Sequence, residues 1–391
     1  MSVIGIVCEF NPFHNGHKYL IDSVKQQGDV VVCVMSGNFV QRGEPSIFPK
    51  DIRVKAALMN GADIIIELPF VYATSSAEAF AYNAVRILDS FGCDKIAFGT
   101  ENASIDMLNK VVDVLTDSHF DDELKKQLET GKSYPSARQI ALDKFLKGCD
   151  ISLPNNILAV EYIKAIKRMN SNIIPICVNR IGADYNDDFA VGEFASATYI
   201  RTLINDNKSF EKYVPENVTE LYKSSISIGK ILSKDKYNIS SLALLRSKIY
   251  SVSENIGNMS EGLENRIIDA IGSSLLLDEI YDKVKTKRYA HSRIRRAVLC
   301  LQFDITDNDL DSEVPYCRLL GFNKNVKDVV GKLADSCKLP FIVRYSDVEK
   351  YNNDNVQRIY ELENKASDFY NLILIEPDIC STEKTFSPIK E

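Results

Sequence analysis

The chain has 391 residues, 54 acidic against 47 basic side chains and a formal net charge of −7 at pH 7. That length suffices for two domains, and the acidic balance excludes nucleic-acid binding by bulk attraction, so any RNA contact needs a local basic patch. No export-signal pattern opens the chain and no apolar run reaches the roughly 18 residues of a membrane span, while nine scattered cysteines without a C-x-x-C pair point to thiols in a reducing cytoplasm, not a disulfide framework.

Residues 3–7 read as a buried strand that breaks at Asn11-Pro12, and residues 18–25 as an amphipathic helix, so His14-Asn15-Gly16-His17 occupies a strand-to-helix turn. Strand-like runs follow at 30–35, closed by Ser36-Gly37, at 63–68, closed by Pro69, at 95–98, ending in Gly99, and at 173–178. Helical segments lie between them at 51–59, 75–91 (with Ser75 or Ser76 as cap), 105–115, 121–128 and 156–169, and a further helix opens at Ser196. The alternation predicts an α/β, Rossmann-like domain with a mostly parallel, doubly wound sheet. Its ligand is expected at the carboxyl ends of the strands, where residues 11–17, Ser36-Gly37, Gly99 and Arg180 fall. A polar stretch at 205–209 places a boundary between a first part, 1–207, and a second, 208–391. The second part reads as mainly helical, at 218–225, 240–249, 263–270 and 275–283, with strand character at 340–345 and 372–375.

Chemistry concentrates at two helix starts. His14 and His17 sit in a first helical turn, where free N–H groups and the helix dipole favour an anion and where imidazoles can donate to phosphate oxygens. A metal pair or a satisfied turn are the other readings of that spacing. A zinc site wants a third ligand, and neither His119 nor His291 has a ligand pattern around it, so no metal site is expected. At the second start, Ser196 and Thr198 either cap a helix or bond a phosphate, and Arg201, close to one turn beyond Thr198, reaches the same anion with a two-pronged fork. The bland alternative is a capped helix with a surface arginine. A third signal is the basic run 283–296, which holds Lys283, Lys285, Lys287, Arg288, Arg293, Arg295 and Arg296 without an acidic residue. Tyr289 and His291 are interleaved there as stacking faces for bases, the pattern of a local RNA patch, with a solvated helix start as the alternative. Asp51 and Arg53 read as a solvated helix start, and Glu67 as either an active-edge or a buried structural carboxylate.

HNGH at 14–17 with SATYIR at 196–201 resembles the HIGH-motif nucleotidyltransferase superfamily. With EFNPFHNGH (9–17), MSGNFVQRGEP (35–45), ELP (67–69), FGTE (98–101), GKSYPSAR (131–138), PNNIL (154–158), YAHSRIRR (289–296) and YCRLLGF (316–322), the chain resembles the bacterial tRNA(Met) cytidine acetate ligase family. The resemblance covers most of the chain and is looser between 211 and 282. Phe10 stands where that family usually has tyrosine, and Asn186 where histidine is common.

The resemblance implies two steps. Acetate attacks the α-phosphate of ATP to give acetyl-adenylate and pyrophosphate; N4 of the wobble cytidine (position 34) of elongator tRNA(Met) then takes the acetyl group, giving N4-acetylcytidine and AMP. It implies catalytic roles for His14, His17, Thr198 and Arg201. ATP contacts fall on Val7, Glu9, Phe10, Asn11, Pro12, Phe13, His14, Asn15, Gly16, His17, Gly99, Asn155, Asn156, Arg180, Ile181, Ser196 and Thr198; for Asn156 a helix cap is an equal reading. Ser36, Gln41 and Arg42 are candidates for acetate, in a loop at 36–45 that also carries Glu44. Lys285, Lys287, Arg288, Arg293, Arg295 and Arg296 are candidates for tRNA, and replacing Arg295 and Arg296 is expected to weaken RNA binding while sparing adenylation. Magnesium is expected only because ATP carries it. Two rival readings are another adenylyl- or cytidylyltransferase acting on a small molecule, and a non-catalytic tRNA-binding protein on a vestigial nucleotide fold.

Overall fold

A computed structural model describes residues 1–148, 151–180, 190, 192–250, 255–260, 262–287 and 289–391. Ile181, Asn186 and Arg288 lie outside the described residues. Among the described residues there are ten strands: β1 (Val3–Cys8), β2 (Val30–Ser36), β3 (Phe39–Val40), β4 (Glu44–Pro45), β5 (Ile64–Leu68), β6 (Lys95–Thr100), β7 (Ile174–Asn179), β8 (Cys317–Phe322), β9 (Phe341–Ile342) and β10 (Ile389–Lys390). Eight form one sheet in the order β10-β8-β5-β2-β1-β6-β7, with β9 beside β8, and β3 and β4 pair as a separate hairpin.

The five strands β5-β2-β1-β6-β7 are parallel throughout, the doubly wound arrangement expected from the alternation. Helices Asn15–Val24, Lys50–Leu58, Ala77–Ser90 and Pro154–Arg168 are among the crossovers. Because helices cover both faces, β2 (VVVCVMS) and β5 (IIIEL) are buried along their whole length and read as continuous apolar runs. The pleat still sorts the side chains: Val30, Val32 and Val34 enter one core, Val31, Cys33 and Met35 the other. From β1 the chain winds outward through β2 to β5, then returns to the opposite side of β1 with β6. The switch point is therefore between β1 and β6, and a crevice opens there at the strand ends that carry the histidine turn and Gly99.

The second half contains the helices Lys234–Lys248, Leu263–Ser273, Leu277–Val284 and His291–Phe303, and it also returns to the sheet: β8 lies antiparallel on β5, and β10 parallel to β8. Strand β8 is absent from the sequence reading because CRLLGF holds a charge, Arg318, which is buried and answered by Glu67 and Glu383. The strand expected at 372–375 does not form. Leu372 ends the long helix Asp354–Leu372, and Leu374 makes only an isolated bridge to Leu232. No helix among the described residues is long and apolar enough to cross a membrane.

Two charged residues read from sequence take definite places. Arg53 is not solvated but fully buried. Its guanidinium donates to the carbonyls of Phe48 (3.1 Å), Glu9 (2.6 Å), Ser36 (3.1 Å) and Gly37, fastening the ends of β1 and β2 side by side. Helical spacing alone does not reveal that the carbonyls leaving two parallel strands need a shared donor there. Glu67, at the end of β5, is a buried structural carboxylate: Lys50 Nζ is 2.5 Å from Oε1, and Arg318 Nη1 is 2.7 Å from Oε2.

Candidate functional site

His14 is the N-cap of helix Asn15–Val24 and His17 its third residue, and the two form a capping box out of histidines. The Gly16 N–H donates to His14 Nδ1 (3.0 Å), and the His14 N–H donates to His17 Nδ1 (3.2 Å). A ring nitrogen that accepts from an amide carries no proton, so each neutral ring holds its proton on Nε2. The rings stack at 3.8 Å between centroids. Burial, then the neighbouring His17, Arg180 and Arg201, hold His14 well below its usual pKa; burial and then Arg180 lower His17 to about 3. Both are therefore neutral at pH 7, and each offers an Nε2–H.

The turn opens into a cavity of about 1020 Å3, at the upper end of the range for small-molecule sites. From the histidine turn, Val7, Glu9, Phe10, Asn11, His14, Gly16 and His17 line it. Gly99, Asn155, Arg180, Ser196 and Arg201 join them from four other segments. Gly99 leaves room for Arg180, whose Cγ would lie 3.1 Å from an added Cβ. Arg201 Nη1 donates to the Asn11 carbonyl (2.7 Å) and Nη2 to Thr198 Oγ1 (3.1 Å), so the second helix start is locked to the first across 190 residues of chain. Ser196 caps helix Ala197–Asn205, its Oγ accepting from the Tyr199 N–H (3.0 Å).

The remaining expected nucleotide residues among those described do not line the cavity. Phe13 is buried in a core, its N–H donating to Tyr222 Oη (2.9 Å). Asn15 Nδ2 donates to the carbonyls of Glu193 (2.9 Å) and Lys212 (3.1 Å). Pro12 and Thr198 do not line the cavity. Asn156 is fully buried; its Oδ1 accepts from the Glu101 N–H (3.3 Å) and its Nδ2 donates to Asn102 (2.8 Å), while Asn155, which does line the cavity, bonds Glu101 Oε1 (2.5 Å).

Of the loop residues expected at acetate, Gln41 and Arg42 reach the cavity, but Ser36 is fully buried and its Oγ has no partner among the described residues. Gln41 is held on both sides: its N–H donates to Glu9 Oε1 (2.8 Å) and its Nε2 to the Ser75 carbonyl (3.2 Å). The hairpin that carries them, β3 and β4, rests on helix His291–Phe303 at Arg295 and Arg296. Gly43, at φ +76°, faces Arg295 and Arg296 so closely that an added Cβ would lie 3.0 Å from the Arg296 nitrogen, and Arg295 forms an ion pair with Glu44.

That helix start divides the basic run. Lys285 and Lys287 are exposed. Arg295 and Arg296, with His291, face the cavity, and burial brings Arg296 down to about 10. Tyr289 offers no stacking face: it is buried, with the Arg293 guanidinium 5.1 Å from its ring centre. Sequence reasoning missed three wall residues from the GKSYPSAR segment and the following helix, namely Tyr134, Arg138 and Glu161, whose 2.9 Å Arg138–Glu161 pair closes one end. For Tyr134 and Arg138 the signal lay in the GKSYPSAR segment itself; Glu161 lies outside it, within helix Pro154–Arg168. Among the described residues no group of three or more His, Cys, Asp or Glu is gathered as a metal-ligand set.

A family model described as HIGH Nucleotidyl Transferase matches residues 1–384. The chain is 36% identical over 401 residues to the tRNA(Met) cytidine acetate ligase of Acetivibrio thermocellus, covering 96% of each protein. It is 40% identical over 383 residues to that of Caldicellulosiruptor saccharolyticus, covering 95% of this chain and 94% of the other. Among solved structures it is similar to Thermotoga maritima TmcAL in an apo form (TM-score 0.92, 31% identity) and in a form bound with alpha-thio ATP (TM-score 0.91, 30% identity). Each alignment covers 100% of this chain and 99% of the other.

Proposed function

The chain belongs to the tRNA(Met) cytidine acetate ligase family of HIGH nucleotidyltransferases, and from that premise we propose that it activates acetate with ATP and transfers the acetyl group to N4 of cytidine 34 of elongator tRNA(Met). The observation that carries this is the pair of neutral, stacked imidazoles that line one cavity together with Arg180 and Arg201. Neutral donors beside fixed cations suit an α-phosphate that gains charge when attacked, because they need no reorganisation as that charge develops. Arg201, anchored through Asn11 and Thr198, would hold the β- and γ-phosphates that leave together. Gly99, Asn155 and Arg180 would contact the nucleoside part of ATP.

Gln41 and Arg42 would orient the acetate carboxylate in line with the α-phosphate, and positioning of this kind supplies much of the rate. Buried Ser36 would act through the loop backbone. Magnesium would arrive on the triphosphate and neutralise charge there. Residues 1–207 would then perform the chemistry, and 208–391 would present the RNA through exposed Lys285 and Lys287 and through Arg295 and Arg296 in the cavity, with Arg288 and Arg293 as further candidates in the same basic run. A wobble base is already single-stranded and enters such a cavity at low cost. The test is incubation with ATP, labelled acetate and bulk tRNA, followed by nucleoside analysis. N4-acetylcytidine is expected, and the absence of acetate-dependent pyrophosphate release would overturn the reading.

A further inference from the structure

Acetyl transfer to an exocyclic amine requires a base, and the cavity restricts which groups can serve. His14 and His17 cannot: each uses Nδ1 to accept from a backbone amide and carries a proton on Nε2. His291 also lines the cavity, but it lies on neither the histidine turn nor the loop proposed for acetate, and its Nε2 is 3.8 Å from Asp282. Three glutamates line the cavity as well. Glu78 is paired with Lys164 at 2.8 Å, and Glu161 with Arg138 at 2.9 Å. Glu9 makes no ion pair with a described residue. Its Oε1 accepts from the Gln41 N–H at 2.8 Å, and its other oxygen accepts no hydrogen bond from a described residue.

Glu9 also has the right position. It follows β1 and immediately precedes the segment that bears His14 and His17, and its one bond ties it to the loop proposed to hold acetate. It thus stands between the proposed phosphate and acetyl sites. Resting on the functional reading above, we propose that Glu9 is the general base of the second step. The cytidine N4 forms its bond to the acetyl carbon, the bond from that carbon to the AMP oxygen breaks, and the N4 proton passes to Glu9; AMP leaves as a phosphate and needs no proton. Burial raises the Glu9 carboxyl above its ordinary range, against the Gln41 N–H and the cations Arg201, Arg42 and Arg53 that lower it. The other ionisable groups facing it are Cys8 on its own strand and Tyr162 on helix Pro154–Arg168. Departure of pyrophosphate removes negative charge from the site and favours the ionised, proton-accepting form in time for transfer.

The experiment compares wild type and Glu9→Gln, which keeps an oxygen for the Gln41 amide, in single-turnover transfer from enzyme-bound acetyl-adenylate to tRNA across pH 5 to 8. The wild-type rate should rise about tenfold per pH unit on the acidic limb and then level. Glu9→Gln should transfer roughly 100-fold more slowly, without that limb, and lose far less in pyrophosphate release. Glu9→Asp should regain a pH-dependent rate. A Glu9→Gln protein that keeps the wild-type pH profile, or that loses both steps equally, overturns the assignment. A wild type that forms no acetyl-adenylate overturns the functional reading itself, and the two failures are told apart by that control.

Discussion

The two histidines serve as structural caps and as candidate catalysts through opposite edges of the same rings. Nδ1 satisfies backbone donors that a helix start otherwise leaves open, and this fixes Nε2 as the edge offered to ligand. Their neutrality has a cost in acid. An unfolded imidazole has an ordinary pKa of 6.5, while burial keeps both rings neutral in the fold, so below pH 6.5 the unfolded chain binds protons that the folded chain refuses. Stability from this source therefore falls as pH drops, by up to about 2 kcal/mol per ring between pH 6.5 and 5. The drop in Tm from pH 7 to pH 5 should shrink in His17→Asn and also when a non-hydrolysable ATP analogue is bound, because phosphate favours the charged ring. Thermal scans at the two pH values test this, and an unaltered drop in both cases would contradict it.

At the scale of elements, the β3–β4 hairpin joins the two halves of the chain at the cavity. Its left-handed Gly43 brings the backbone against the second turn of helix His291–Phe303, where a side chain would meet Arg295 and Arg296. Gly43→Ala should cost on the order of 1–2 kcal/mol in stability from the backbone conformation alone. Because the same hairpin carries Gln41 and Arg42, the variant should also raise the KM for acetate more than that for ATP; equal shifts would show that the hairpin does not hold acetate. The parallel strands were legible in sequence because apolar runs closed by Gly or Pro recur with helical segments between them, and the histidine turn because it follows the first of these. Strand β8 and buried Arg53 were not. Each is a charged group made tolerable by partners far away in sequence, Glu67 and Glu383 for Arg318, the carbonyls of β1 and β2 for Arg53, and local pattern carries no trace of them. Asn156 and Ser36 mislead for the converse reason, since polar side chains beside a site can face inward.

Over the whole molecule, an acidic chain encloses a cationic cavity. Arg42, Arg138, Arg180, Arg201, Arg295 and Arg296 line it from segments spread across more than 250 residues, although the net charge is −7. Such local concentration attracts both a triphosphate and an RNA backbone while the rest of the surface resists unspecific nucleic acid. It also changes which residues separate the two activities. Arg295 and Arg296 face the cavity, and Arg295 braces the hairpin through Glu44, so replacing them is expected to impair adenylation as well as RNA binding. The exposed Lys285 and Lys287 are the residues that should act on RNA alone. Replacing both by alanine should weaken tRNA binding at low salt and reduce the slope of log affinity against log salt by roughly one to two, since each lysine that meets a phosphate releases about one counterion. Acetate-dependent pyrophosphate release without tRNA should stay at the wild-type rate. Filter binding over a salt series, run beside the pyrophosphate assay, decides it: an unchanged slope would place the RNA on another face, and a parallel loss of adenylation would mean that the basic run braces the catalytic half and does not present the substrate.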